Sequence, residues 1–197
     1  MYIYGASGHA RVIIDLLESS NGAPISGLFD DNPAITCLLD YPVLGSPPED
    51  FVFDRPLFLA IGDNALRKKL HQAYRGRAEF ASLVHPSAIV SRRATLGPGS
   101  VVMEGALVKV NVRLGNHVIV NTAASVDHDC VLEDYVHIGP RSTLCGGIHV
   151  GEGALVGAGS TLLPGIRIGA WARVGAGSVV TRNLAGGATW IGTSEKK

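Results

Sequence analysis

The residues best equipped for chemistry stand together at Val126-Asp127-His128-Asp129-Cys130. An imidazole beside a carboxylate makes a general base with an orienter, because the carboxylate fixes the tautomer and steadies the imidazolium that forms. The same pair also suits a solvated corner with an incidental charge contact, since most exposed polar residues do no chemistry. Three polar or glycine-rich turns offer further candidates: Gly5-Ala6-Ser7-Gly8-His9, Asp30-Asp31 and Gly62-Asp63-Asn64. What these residues can do depends on the elements that hold them.

A repeat reveals those elements. From Val90 through Leu96, Val102 and Val108 to Val174 and Val180, an aliphatic residue occupies every sixth position, sixteen times without a miss. Two residues before each stands a small or aliphatic side chain, such as Ala88, Ser100, Ala124, Cys130 or Ser178. Period six is neither helical nor a plain strand alternation. It is the hexapeptide repeat of a parallel β-helix. Each unit makes a short strand and a corner, three make a triangular coil of eighteen residues, and sixteen make a little over five coils. Alternate strand residues share a face, so the aliphatic residue and the small one before it point inward. Gly follows the aliphatic residue at 97, 115, 139, 151, 157, 169 and 175, and Asn121 and Asp127 fill the same slot. A corner with φ > 0 at that slot is the expectation. No insertion interrupts the repeat, so flat outward faces are expected to pack on other subunits.

The eighteen-residue coil sets what stacks on the His-Asp pair. Position 146 lies above 128 and position 147 above 129, and both are glycine. This leaves an opening for a linear group, with the Gly146 N–H able to face a developing oxyanion; alternatively, the glycines serve only the backbone turn. His137 is half a coil from His128, so the two rings are expected on different sides of the triangle, able to meet only across a subunit interface. His117 and His149 are expected to point outward with no close carboxylate in register. Cys145 reads as a small corner residue. The spacings between His117, His128, His137 and His149 are eleven, nine and twelve. They do not suit a three-histidine zinc site, and no metal is expected.

Residues 1–84 read differently. Strands are expected at Tyr2–Tyr4, Ile25–Phe29, Leu57–Ile61 and Phe80–Val84, with helices over 10–18 and 65–74. This alternation predicts a small parallel, Rossmann-like α/β sheet. Ligands on such sheets bind beyond the carboxyl ends of the strands, here the three turns already named. Gly-Ala-Ser-Gly-His is not the dinucleotide fingerprint. A glycine turn opening a helix can cradle a phosphate, or can simply permit a tight turn.

The 197 residues carry no net charge and no basic stripe, which argues against nucleic acid as a partner. No apolar run approaches membrane-spanning length, and the first residues enter a strand at once, so neither a membrane anchor nor a signal peptide is expected. Cys37, Cys130 and Cys145 show no framework spacing, which fits a reducing cytoplasm. Glu195-Lys196-Lys197 is expected to be a frayed tail.

The order of motifs carries a resemblance. Tyr4-Gly5-Ala6-Ser7-Gly8-His9, Asp30-Asp31, Ala60-Ile61-Gly62-Asp63-Asn64, Arg67-Lys68-Lys69, His85-Pro86-Ser87-Ala88 and the coil with His128-Asp129-Cys130 follow one another as in the sialic-acid O-acetyltransferase-like family. The chain is most similar to its branch that N-acetylates UDP-4-amino-4,6-dideoxy sugars in the bacillosamine pathway of bacterial glycan synthesis. The resemblance implies a left-handed β-helix, acetyl-CoA as co-substrate, a nucleotide-activated amino sugar as acceptor, and a cytoplasmic homotrimer with active sites between subunits. It implies His128 as general base, Asp129 as its orienter, Gly146 as oxyanion donor, and His137 near the acetyl or pantetheine end from a neighbouring subunit. Gly157, Ala158, Gly175 and Ala176 would line the coenzyme A channel in an acetyl-CoA-binding, catalytic domain spanning 85–197. Gly8, His9, Asp30, Asp31, Gly62 and Asn64 would hold the nucleotide-sugar in a domain spanning 1–84. Relatives usually end the last coil in Gly-x-Pro-Ala-Lys, whereas this chain reads Ile191-Gly192-Thr193-Ser194-Glu195. Two other functions are compatible with the sequence: O-acetylation of a sugar such as sialic acid, and a non-catalytic β-helix scaffold.

Overall fold

The computed structural model describes residues 1–20 and 24–196. The chain divides into two compact units, Met1–Ala81 and Ser82–Lys197.

The first unit is built on three parallel strands in the order Gly27–Phe29, Tyr2–Tyr4, Leu57–Leu59. Ile3, Leu28, Leu57, Phe58 and Leu59 are all buried, the pattern of a sheet covered on both faces. Helix Gly8–Ser19 buries Ala10, Ile13, Ile14, Leu16 and Leu17. Helix Asn64–Tyr74 starts where the Asp63 carboxylate accepts from Leu66 N at 2.8 Å. Aromatic rings pack edge to face beside the sheet, with Phe51 and Phe53 centroids 4.9 Å apart and Tyr2 against both. A short antiparallel pair, Cys37–Leu38 with Tyr41–Pro42, has no counterpart in the sequence expectation. The expected strand over 80–84 is divided between the units. Phe80 bridges to Leu57, whereas Leu83–Val84 pairs with Val101–Val102 of the second unit. Val84 stands six residues before Val90, so it is already in the repeat, and the eighteen-residue ladder claims it.

The second unit is a parallel β-helix with three faces. The first face runs from Ile89–Val90 to Val179–Val180, the second from Thr95–Leu96 to Arg167–Ile168, and the third from Leu83–Val84 to Thr189–Ile191. Register is eighteen residues throughout the repeat, as in Ser125↔Thr143 and Val131↔His149. The aliphatic series forms one buried column with the small inward residues between its layers. Ser100, Ser142 and Ser160 are buried in that series, and each hydroxyl donates to the carbonyl of a corner glycine at 2.8–2.9 Å.

The corners differ from expectation. Positive φ falls not on the residue after the aliphatic one but two places later, at every sixth residue from Gly99 to Gly177. Asn111, His117, Ala123, Asp129, Tyr135, Arg141 and Trp171 adopt it as well as seven glycines. The earlier glycine slot has another cause. A Cβ on Gly97 would lie 2.5 Å from the Gly115 carbonyl carbon, and one on Gly157 would lie 2.5 Å from Ala176 N. Those glycines let the backbone of one coil touch the next.

The period breaks at the end. Leu184 bridges to Ile168 and Trp190 pairs with Val174, so each partner is sixteen residues away rather than eighteen. Trp190 is buried, its indole N–H reaches the carbonyls of Val179 and Gly192 at 3.1 Å, and Arg182 lies over its ring. Residues Ser194–Lys196 are not a frayed tail but a strand antiparallel to Thr189–Ile191, while Lys197 lies outside the described residues. Among the described residues no helix is long and apolar enough to cross a membrane. Trp190 closes the column, so Trp190→Ala should cost about 3–5 kcal/mol in denaturant unfolding. Ile191→Ala, at a half-exposed neighbour, should change stability by no more than about 0.5 kcal/mol.

Candidate active site

The corner between the first and second faces carries the polar cluster. Its strands, Ser125–Val126 and Val131–Leu132, fix both ends. His128 Nδ1 lies 2.8 Å from Asp129 Oδ2, and His128 N donates to Asp127 Oδ1 at 2.8 Å. The carboxylate therefore holds the proton on Nδ1 and leaves the lone pair on Nε2, at the tip of the ring. Both side chains are more than half exposed, at 56% and 57%. The Asp129 hydrogen bond raises the His128 pKa, while that bond and a second one from Asn111 hold Asp129 below the usual carboxylate range.

Asn111 is the member of this site that sequence reasoning missed. Its Nδ2 donates to Asp129 Oδ1 at 3.1 Å. It stands eighteen residues before Asp129, one coil away, and both take the left-handed conformation, with φ 58° and 60°. That spacing was the available signal.

Gly146 does a different job from leaving an empty opening. A Cβ there would lie 2.5 Å from His128 Cε1 and Nε2, so the imidazole itself occupies the space. Gly147 N donates to His128 O at 2.9 Å and Cys145 N to Leu162 O at 3.1 Å, with the Gly146 amide between them in the chain. Above Gly147 the nearest atom to a built Cβ is Gly165 Cα at 4.0 Å, so the side over Asp129 stays open.

His137 lies on the third face, in strand His137–Ile138, with its Nε2 3.1 Å from Asn121 Nδ2. A single chain does not bring it to His128. Gly157-Ala158 and Gly175-Ala176 fall one coil apart on the corner between the third and first faces. The other histidines depart from expectation. His117 is buried and stacks on Tyr135, one coil on, at 5.8 Å and 7°. His149 does have a carboxylate: its Nε2 is 2.7 Å from Glu133 Oε1, because the ring reaches diagonally across the second face. A cavity of about 560 Å³ adjoins this pair, lined also by Arg167 and Asn183. Cys130 is buried, and its thiol, pushed up by burial, donates to Cys145 O.

In the N-terminal unit the expected ligand residues lie at the carboxyl ends of the strands, but several hold one another. Asp30 Oδ2 accepts from Ala6 N at 2.7 Å and Oδ1 from Asn32 N at 2.9 Å. Asp31 accepts from Tyr4 Oη and from Ser46 Oγ, which keeps its carboxyl below the usual range. Gly5 has φ 109°, and a Cβ would lie 2.8 Å from Ala60 O. Buried Arg67 donates to Ile61 O at 2.8 Å, to Gly62 O at 3.3 Å and to Asn64 Oδ1 at 2.8 Å. Burial, with the Arg67 charge nearby, lowers the His9 pKa to about 4, and its Nε2 is buried with no hydrogen-bond partner among the described residues. Gly8 opens the first helix with open space at its Cα. Among the described residues, no three His, Cys, Asp or Glu side chains group as a metal would require.

Known proteins match this arrangement along its length. Residues 1–74 match the PglD N-terminal domain, and residues 147–182 match the bacterial transferase hexapeptide of six repeats. A histidine-substituted perosamine N-acetyltransferase from Caulobacter crescentus, in complex with CoA and GDP-perosamine, superimposes with a TM-score of 0.90. It is 38% identical, and the match covers 99% of this chain and 94% of that one. The chain belongs to the PglD-type family of hexapeptide-repeat acyltransferases. The acetyltransferase domain of PglB from Neisseria gonorrhoeae FA1090, in complex with acetyl coenzyme A, gives a TM-score of 0.90 at 33% identity, over 99% of this chain and 97% of that one. UDP-N-acetylbacillosamine N-acetyltransferase of Bacillus subtilis (strain 168) is 38% identical over 107 residues, 51% of this chain and 50% of that protein. The chain spans half or less of the length of the curated relatives it matches.

The hydrogen bonds at the PglD-type corner set a titration order. A histidine NMR titration should place the His128 midpoint above the ordinary value of about 6.5 and that of His9 near 4. Asp129→Asn removes the group that raises the His128 pKa, so the midpoint should fall. Asn111→Ala should lower it less, by loosening the carboxylate.

Proposed function

We propose that the protein is an acetyl-CoA-dependent N-acetyltransferase that acts on the 4-amino group of a nucleotide-activated amino-deoxy sugar. The observation that carries this reading is the His128–Asp129 pair, with Nε2 free of the carboxylate, on a PglD-type chain. UDP-4-amino-4,6-dideoxy-GlcNAc is the first acceptor to offer, following the Bacillus relative, and GDP-linked sugars are the second, following the Caulobacter one.

In the proposed reaction, His128 Nε2 takes a proton as the neutral sugar amine attacks the thioester carbonyl. Asp129 steadies the imidazolium, with Asn111 holding Asp129 in turn. The tetrahedral oxyanion meets the Gly146 N–H. The C–S bond then breaks, and coenzyme A leaves as a thiolate that takes the proton from the imidazolium. Thiols ionise near pH ~8.5, so no stronger acid is needed. Gly157, Ala158, Gly175 and Ala176 line the coenzyme A channel in this proposal, and His137 of a neighbouring copy approaches the acetyl end. A homotrimer supplies that neighbour. The outward row of the first face, Ile89, Leu107, Ser125, Thr143, Thr161 and Val179, carries no charge, which suits a surface buried against a second copy. The N-terminal turns with Gly8, His9, Asp30, Asp31, Gly62 and Asn64 hold the nucleotide. Function in the cytoplasm belongs to the same reading.

Thiol release from acetyl-CoA should occur with one of the UDP-, GDP- or dTDP-4-amino sugars. Release with sialic acid alone would move the protein to O-acetylation, and no release together with no coenzyme A binding would leave a scaffold. Positioned base catalysis is worth roughly 10²–10⁴-fold, so His128→Ala should lose about that much in kcat. His149→Ala, which breaks the other histidine–carboxylate pair, should stay within about twofold of the native rate. The reverse ranking would transfer the base to His149.

A further inference from the structure

The cavity of about 560 Å³ beside Glu133 and His149 lies where the second face turns into the third, near the C-terminal end of the β-helix. Arg167, Ala170 and Gly186 line it as well. The last coil is two residues shorter than the rest, and its Ala185 and Gly186 bring no polar side chain into the space. Arg167 N donates to Asn183 Oδ1 at 2.8 Å and Arg167 O accepts from Leu184 N at 2.9 Å, so the backbone under the guanidinium is held on both sides. Only one lining residue is acidic, and the oxygens of that residue, Glu133, are already engaged by His149 and by Glu152 N.

The β-helix carries its own template for what this cavity holds. The Glu133 carboxylate meets His149 Nε2 with Oε1 at 2.7 Å and accepts from Glu152 N with Oε2 at 2.9 Å. These two contacts keep it ionised, below the usual carboxylate range. One coil further on, eighteen residues along, Gly151 stands for Glu133, Arg167 for His149 and Ala170 for Glu152. The ladder sets that correspondence, since His149 pairs with Arg167 and Val150 with Ile168. The donors are thus repeated and the carboxylate is not. Arg167 is exposed, and its guanidinium has no carboxylate partner among the described residues. Ala170 N and Gly186 N donate to no acceptor among them. A Cβ on Gly151 would lie 2.6 Å from Ala170 N, so no side chain fits that slot to supply the missing group. An oxygen from outside can stop at hydrogen-bonding distance where a covalently fixed Cβ cannot.

We propose that this cavity binds a small-molecule carboxylate, held by the Arg167 guanidinium and the Ala170 N–H as Glu133 is held by His149 and Glu152 N. A guanidinium fork meets both oxygens of a carboxylate, where an imidazole meets one. The volume is within the range of small-ligand sites, roughly 300–1,000 Å³, so the rest of the molecule has room. The cavity lies across the second face from His128, and the coenzyme A channel proposed above follows a different corner. Its ligand is therefore neither substrate of the transfer reaction, and its test needs no turnover. Succinate and citrate, with succinamide as the uncharged control, would be titrated calorimetrically into the full-length protein and into its Arg167→Ala, Arg167→Lys and Arg113→Ala variants. At least one of the two acids should bind the native protein, and succinamide should not. Arg167→Ala should bind that acid about 10–100-fold more weakly, the loss expected for charge-assisted hydrogen bonds. Arg167→Lys should recover part of the loss. Arg113 projects from the same face three coils away, so Arg113→Ala should bind as the native protein does. In amide NMR spectra the Ala170 N–H should shift with the acid and stay in place with succinamide. Equal Kd values for native and Arg167→Ala protein, an equal loss in Arg113→Ala, saturation without a shift at Ala170, or no binding of either acid to the native protein would each overturn the site. Arg167 is exposed, so the fold should survive its loss. Thermal unfolding checks each variant, and Arg167→Gln gives the same comparison if the alanine variant does not fold.

Discussion

Every coil of the β-helix must land on the one beneath it, and this stacking governs the second unit at each level. Pairing at eighteen residues aligns the aliphatic column, and burial of that column supplies the main driving force. It also fixes where the backbone turns. The left-handed residue recurs every six positions whether or not it is glycine, so the ladder imposes it on Tyr135, Arg141 and Trp171 against their local preference. Side chains that no isolated turn would place there are held because the bonds on both sides leave no alternative.

The His128–Asp129 corner inherits this rigidity. Its parts come from positions 111, 128–129 and 146, far apart in the chain but on three successive coils. Asp129 N donates to Val110 O at 3.1 Å and Gly147 N to His128 O at 2.9 Å, so ladder bonds tie the pair to the coils on both sides. An imidazole held this way has little freedom left to lose when a ligand arrives. The His149–Glu133 pair shares the residue types but not the geometry. There the carboxylate takes Nε2, at the ring tip, and also accepts from Glu152 N at 2.9 Å. The nitrogen left over is Nδ1, next to the Cβ and hard for an acceptor to approach. His128 presents the opposite edge, which is why two similar pairs on one prism are not chemically equivalent.

The period-six series made the β-helix, its inward residues and the stacking of 146 on 128 legible before any coordinates. Its limits are equally physical. The left-handed slot was misplaced by two residues because glycine also marks close coil-to-coil approach, and composition alone does not separate the two demands. Leu184 and Trp190 fall off the period, so nothing in the pattern announced that the last coil is two residues shorter. His117 carries a polar ring into a buried stack on Tyr135, a pairing visible only once position 135 is placed over 117. His149 meets its carboxylate on a diagonal, and an eighteen-residue register aligns only residues directly above and below.

The N-terminal turns show the harder problem, which is to separate residues that bind a ligand from residues that bind each other. Asp30 and Asp31 have the composition of a ligand site, yet one clamps the glycine turn and the other accepts from Tyr4 and Ser46. Arg67 likewise spends its guanidinium on the carbonyls of Ile61 and Gly62 and on Asn64. The His9 ring is different: burial and Arg67 hold its pKa near 4, and its Nε2 has no hydrogen-bond partner among the described residues. A neutral imidazole can donate or accept one hydrogen bond, so His9 keeps the capacity to meet a ligand that the two committed carboxylates have already spent.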